Sequence, residues 1–144
     1  MSSYDQGFFR KFKFTPTQVE QHIQSAERDY DIAKNDGYLD VKFTYCYQAL
    51  IKIGIAILAK KAGVKVRSVM GHHIKILEKL SEILNDPDVL TIGNVMRLKR
   101  NKGLYDAGTT VITKKEVDDY IVFVNGIIQK AKKMINLGSL RAKE

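Results

Sequence analysis

The stretch FTYCYQALIKIGIAIL, from Phe43 to Leu58, decides the fold. Tyr45, Ala49, Leu50, Ile53, Ile57 and Leu58 recur at helical spacing, and most of the residues between them are apolar as well. A helix apolar over so much of its circumference needs neighbours on several sides, which makes it the centre of a bundle. It is expected to run from about Tyr38 to Lys61, with Ala62-Gly63 as its stop. Lys52 and Gly54 cut the apolar run short of the ~20 residues that a membrane span needs.

Helix punctuation continues on both sides. Upstream, Thr15-Pro16-Thr17-Gln18 reads as an N-cap, a proline at the first helical position and a capping-box partner. Val19, Ile23, Ala26, Tyr30 and Ala33 then form one stripe, and Asn35-Asp36-Gly37 ends the helix with turn chemistry. Downstream, Ile74, Leu77, Leu80 and Leu84 mark a third helix over about His72 to Leu84. Asp86-Pro87 repeats the cap-then-proline start and opens a fourth, with Gly108 as its expected exit. Thr113 to Glu116 is a second capping box, starting a fifth helix that should end just before Gly138. No stretch alternates with period two for long enough to demand a sheet, although residues 64–69 could be extended. The fold class is therefore all-α, an antiparallel bundle of four or five helices. Residues 1–144 read as a single domain, its core over about 15–137.

Cys46 has no partner for a disulfide and lies in an apolar helical pattern, so it reads as a small buried hydrophobe. The N-terminal MSSYDQGFFRKFKF lacks an apolar signal core and a small-residue cleavage site. These features predict a cytoplasmic protein that does not associate with membranes.

The net charge of +8 is unevenly placed. Up to Met96 there are 13 Lys/Arg against 11 Asp/Glu, and from Arg97 onward 11 against 5. The surplus gathers at Arg97, Lys99, Arg100 and Lys102, a patch suited to RNA or to nucleotide phosphates. An arginine can hold a phosphate by its bidentate fork, and Asn101 adds an amide beside Arg100. On a straight helix Arg100 and Tyr105 stand about 140° apart, so they share a face only if the helix deforms near Gly103.

Other chemistries find less support. His72 and His73 are adjacent and project about 100° apart, so they cannot chelate one metal as an i, i+4 pair can. They are expected near the start of the third helix, where the dipole favours a neutral imidazole. His22 reads as structural. Gly103 stands alone, without the neighbouring glycines of a phosphate-cradling loop. No metal or cofactor is expected. The tyrosines Tyr30, Tyr38, Tyr45 and Tyr47 read as core or subunit-interface material, with base stacking as the sharper alternative.

The order of these features resembles the HEPN superfamily. SAERDYDIAKNDGY (Ser25 to Tyr38) is similar to its first-helix pattern and FTYCYQALIKIGIAIL to its second. GHHIKILEKL (Gly71 to Leu80) is similar to its third-helix start, and RLKRNKGLYDAG (Arg97 to Gly108) to its signature region. The resemblance covers about Thr15 to Ile135 and implies a helical homodimer. In members that are metal-independent ribonucleases, an arginine, a polar residue and a following histidine meet their copies across the dimer. Carried over, Arg100, Asn101 and Tyr105 stand at the catalytic positions, with Arg97, Lys99 and Lys102 as nucleic-acid-binding neighbours. Tyr105 occupies the histidine's place. A phenol titrates near 10 and makes a poor base at neutral pH. The resemblance thus implies an RNA- or nucleotide-binding cleft with attenuated ribonuclease chemistry, in a toxin–antitoxin or defence setting. The alternative it allows is a non-catalytic module that partners a minimal nucleotidyltransferase.

Overall fold

The computed structural model describes residues 4–103, 105–106 and 109–143, of which 105–106, 109–110 and 137–143 are described by backbone alone. Five helices carry the fold: α1 (Pro16–Asn35), α2 (Leu39–Ile57), α3 (His72–Leu84), α4 (Pro87–Lys102) and α5 (Lys114–Lys143). A π-helical turn, Leu58–Ala62, continues α2. The strands are short: β1 (Phe9–Lys11) pairs antiparallel with β2 (Val64–Val66), and β3 (Tyr105–Asp106) with β4 (Thr109–Thr110). With two or three residues each, they tie loops together and form no layer of their own. The fold is an all-α helical bundle.

Local chemistry sets the helix starts. The Thr15 hydroxyl accepts from Gln18 N at 3.1 Å, and Gln18 Oε1 accepts from Thr15 N at 2.9 Å, completing the capping box of α1. Thr113 and Glu116 repeat the reciprocal pair at α5. The Asp86 carboxylate caps α4 by accepting from Asp88 N at 3.1 Å. At the far end of α2, Gly63 adopts φ 61°, the left-handed exit that favours glycine.

Two boundaries differ from the sequence expectation. α4 stops at Lys102 instead of running towards Gly108, because Gly103 sits at φ 86° and ψ 157°, a backbone state a side chain would resist. Tyr105 consequently stands on a strand, beyond the helix that carries Arg100. α5, by contrast, passes through Gly138 to Lys143. A single interior glycine costs a helix only about 1 kcal/mol, and no proline follows to end it.

α2 lies at the centre as its composition requires. Phe43, Tyr47, Leu50, Ile53 and Ile57 are fully buried, as is Cys46, whose thiol burial pushes up to about 12. The Leu39–Ala62 helix is in fact long and apolar enough to pass for a membrane span, but most of that surface is covered by the other helices. α1 packs on α2 around a buried charge. Lys52 Nζ lies 2.7 Å from Asp29 Oδ2 and donates to the Ser25 hydroxyl at 2.8 Å. The approach to Asp29 is an ion contact without hydrogen-bond geometry, so Oδ2 has no hydrogen-bond partner.

Two glycines set how closely α3 approaches its neighbours. A Cβ at Gly54 of α2 would stand 2.6 Å from Ile76 Cγ2, and one at Gly93 of α4 would stand 2.8 Å from Leu77 Cδ2. Gly126 on α5 has open space around it. Alanine at Gly54 or Gly93 is expected to overpack the core and lower stability by roughly 1–3 kcal/mol. Gly126→Ala is expected to raise stability by about 0.5–1 kcal/mol through helix propensity. Urea unfolding midpoints of the three variants would show the opposite signs.

Candidate functional site

The basic segment of α4 divides by helical geometry. Arg97, Arg100 and Asn101 are spaced i, i+3, i+4 and share one face. Lys99 points elsewhere: its ammonium lies 2.8 Å from Glu116 Oε2 at the start of α5. Lys102 is exposed at the helix end. The face with Arg97, Arg100 and Asn101 borders a cavity of about 320 Å³, whose opposite wall is the turn before α3 and its first residues, Gly71, His72 and His73. Behind Arg100 a second hollow of about 260 Å³ is lined by Tyr47, Lys52 and His73. Arg100 and His73 border both.

Three helices therefore meet at one cluster. Tyr47 of α2 is fully buried, and its hydroxyl is 2.8 Å from His73 Nδ1 on α3. The Arg100 guanidinium of α4 lies over the Tyr47 ring, 5.5 Å from its centroid. The His72 and His73 rings meet edge to face at 4.4 Å. Arg97 Nε donates to Asn94 Oδ1 at 2.9 Å, which directs the rest of the guanidinium.

Hydrogen-bond partners assign the protons of both imidazoles. His72 Nδ1 lies 2.7 Å from the Val69 carbonyl oxygen, which can only accept, so Nδ1 carries a proton and, in the neutral ring, Nε2 has the lone pair. The buried Tyr47 hydroxyl needs an acceptor, and His73 Nδ1 is the one within reach. His73 therefore holds its proton on Nε2. The neighbours are complementary, one presenting an acceptor and the other a donor.

The electrostatics are one-sided. No acidic side chain lines either hollow. The lysines of the last third are largely neutralised locally: Lys114 and Lys115 by Asp118 and Asp119, Lys130 by Asp86, Lys132 by Glu27. Arg97 and Arg100 have no ion pair among the described residues. Burial, followed by the charges of His72, Arg100 and Arg97, lowers the His73 imidazole to about 4. Burial raises the Tyr47 phenol to about 12, against the pull of the two arginines. Such a site is preloaded with positive charge and held short of a counter-anion.

Among the residues expected from sequence, Arg97, Arg100 and Asn101 come together, while Lys99 and Lys102 lie off the cavity. The Tyr105 side chain lies outside the described residues. Sequence reading missed Tyr47, His72 and His73 as members of the cluster. The i, i+3, i+4 spacing on α4 was a usable signal, but nothing local ties Tyr47 to His73, 26 positions away. A larger cavity of about 620 Å³ lies beside β1 and β2, where Arg67 already donates to the Gln6 carbonyl at 3.0 Å. No group of three or more metal-ligating side chains occurs among the described residues. No family model, curated protein or solved structure matches the chain.

Proton linkage at His73 has a definite sign. Its folded value near 4 lies below the ordinary 6.5, so the unfolded chain takes up the proton first as pH falls. Stability is expected to be unaffected by His73 above about pH 6.5 and to be lost progressively between about 6.5 and 4. Urea midpoints should fall from pH 7 to pH 5 in the wild type and fall less in His73→Asn, which keeps an acceptor near the Nδ1 position.

Proposed function

We propose that the chain is an RNA- or nucleotide-binding protein of HEPN type, gripping phosphate in the cleft between α4 and the start of α3 and acting as a homodimer. The observation that carries this reading is the pair Arg97 and Arg100, on one helix face, beside a cavity with no acid to neutralise them. Phosphate supplies the missing charge, and guanidinium forks match its oxygens. Asn101 on the α4 wall and His73 on the opposite wall add neutral polar groups. Val95 and Leu98 of α4 and Val122 of α5 are exposed apolar side chains, consistent with a covering second copy.

Fluorescence anisotropy with a short labelled single-stranded RNA at low salt tests the binding. Arg97→Ala and Arg100→Ala are each expected to weaken binding about tenfold or more, equivalent to about 1.4 kcal/mol, and to flatten its salt dependence by about one unit of slope. Lys114→Ala, on the far first turn of α5, should bind as the wild type. Equal binding by all variants, or none by the wild type at low salt, would remove the assignment. Light scattering of the eluting peak reads the dimer.

A further inference from the structure

A second acid-free surface adjoins the turn that forms one wall of the cleft. Residues 6–19 and 41–77 contain no Asp or Glu. Within them Arg10 and Lys11 of β1, Lys13 just beyond it, Lys65 of β2 and Arg67 are exposed. Lys60 and Lys61, on the π-helical turn that leads towards β2, are exposed as well. None of these seven cations has an ion pair among the described residues. We infer that the β1–β2 ribbon is a second anion-binding surface, which holds the single strand of RNA that runs out of the cleft. The inference rests on the phosphate-binding reading of the cleft and extends it to residues that reading does not use.

Strand register carries the argument. Arg10 and Lys65 are direct partners across the ladder, so they stand on the same face of the ribbon. Their neighbours Phe9 and Val64 are buried, which leaves the Arg10–Lys65 face to solvent. Like charges directly opposite one another destabilise a sheet, and an anion placed over the pair replaces that repulsion with attraction. Arg67 continues the ladder by donating its N–H to the Phe8 carbonyl at 2.7 Å. Its Nη1 donates to the Gln6 carbonyl at 3.0 Å, which fixes the guanidinium with other N–H groups to spare. Lys65 and Arg67 are two residues apart, about 6.6 Å along a strand. That spacing suits successive phosphates of an extended single strand.

Aromatic rings alternate with the cations in FFRKFKF, Phe8 to Phe14. Lys65 Nζ lies over the Phe12 ring at 5.4 Å, and the Phe12 and Phe14 rings meet at 4.6 Å. The cavity of about 620 Å³ beside the ribbon is bordered by Arg10, Lys11 and Arg67. A neighbouring hollow of about 540 Å³ is bordered by Lys11, Phe12, Lys13 and Phe14, and neither has an acidic side chain in its lining. Cations that follow a backbone, with rings between them, are a recurring design of single-strand binders. Continuity selects the occupant. Arg67 is followed at once by Ser68, where the lining of the cleft begins, so a strand leaving Arg97 and Arg100 past that turn reaches Arg67. A membrane or an acidic polypeptide matches the charge of the ribbon but not this continuity.

The test uses the full chain and two labelled single-stranded RNAs, of about five and about twenty nucleotides, the shorter matched to the cleft alone. Anisotropy at several salt concentrations reads both. The wild type should bind the longer RNA more tightly, with a salt slope steeper by about two units or more. Arg10→Glu combined with Lys65→Glu should weaken the longer RNA about tenfold or more and the shorter by less than about threefold. Arg97→Ala should weaken both. Arg10→Gln alone removes the like-charge pair, so its urea midpoint should equal or exceed that of the wild type while its affinity for the longer RNA falls; a merely structural Arg10 would lower the midpoint. Equal salt slopes for the two lengths, or a charge reversal that spares the longer RNA or weakens both equally, would overturn the inference and leave the cleft reading standing. A reversal that abolishes binding to phosphatidylglycerol vesicles or to polyglutamate, with RNA binding unchanged, would overturn it in favour of those partners. A wild type that binds neither RNA removes the cleft reading and this inference with it.

Discussion

Close approach at Gly54 and Gly93 is the constraint on which the rest of the molecule depends. With no Cβ at either position, Ile76 and Leu77 of α3 settle directly against α2 and α4. That proximity brings the first turn of α3 over the side chains of Tyr47 and Arg100, which come from helices far apart in sequence. Close packing of this kind resists small displacements, since interiors have the density of organic crystals and a shift of one methyl is felt. The cleft thereby lies between the end of α4 and the turn that leads into α3. Its geometry follows from the close packing of α3 against α2 and α4.

Charge placement tells a complementary story. Most described lysines of the last third have a carboxylate within reach, and Lys99 of the basic segment pairs with Glu116. Surface pairs of that kind contribute little to stability, typically 0–1 kcal/mol, but they cancel the local field. Arg97 and Arg100 are uncancelled among the described residues, beside an imidazole that burial and nearby positive charge keep neutral. The same repulsion that lowers His73 would be relieved by a bound anion, so binding and protonation are coupled in sign. Asp29 and Lys52 provide the contrast. There a buried carboxylate has an ammonium 2.7 Å away at the α1–α2 contact, and removing Lys52 would leave the Asp29 carboxylate buried with only the 3.5 Å contact to Arg28.

The sequence determined the helix starts to within a residue or two, because their signals are local. Capping boxes at Thr15 and Thr113, proline starts at Pro16 and Pro87 and the glycine stop at Gly63 each act over one helical turn, and each is found where expected. The central place of α2 was equally legible, since an all-round apolar helix has nowhere else to go. The end of α4 was misread because whether a glycine ends a helix depends on the path the chain takes next, here into the β3–β4 hairpin. The extended stretch at residues 64–69 was legible and holds β2, but its pairing with β1 was not, the partners Phe9 and Val66 being 57 positions apart. Half of the cleft could be read from the chain, since Arg97, Arg100 and Asn101 share a face by spacing alone. The other half, the imidazoles of His72 and His73 and the phenol that holds one of them, was decided only by tertiary packing. Periodicity reports which residues share a helix face, but which faces meet is set by where side chains are absent, and here those places are Gly54 and Gly93.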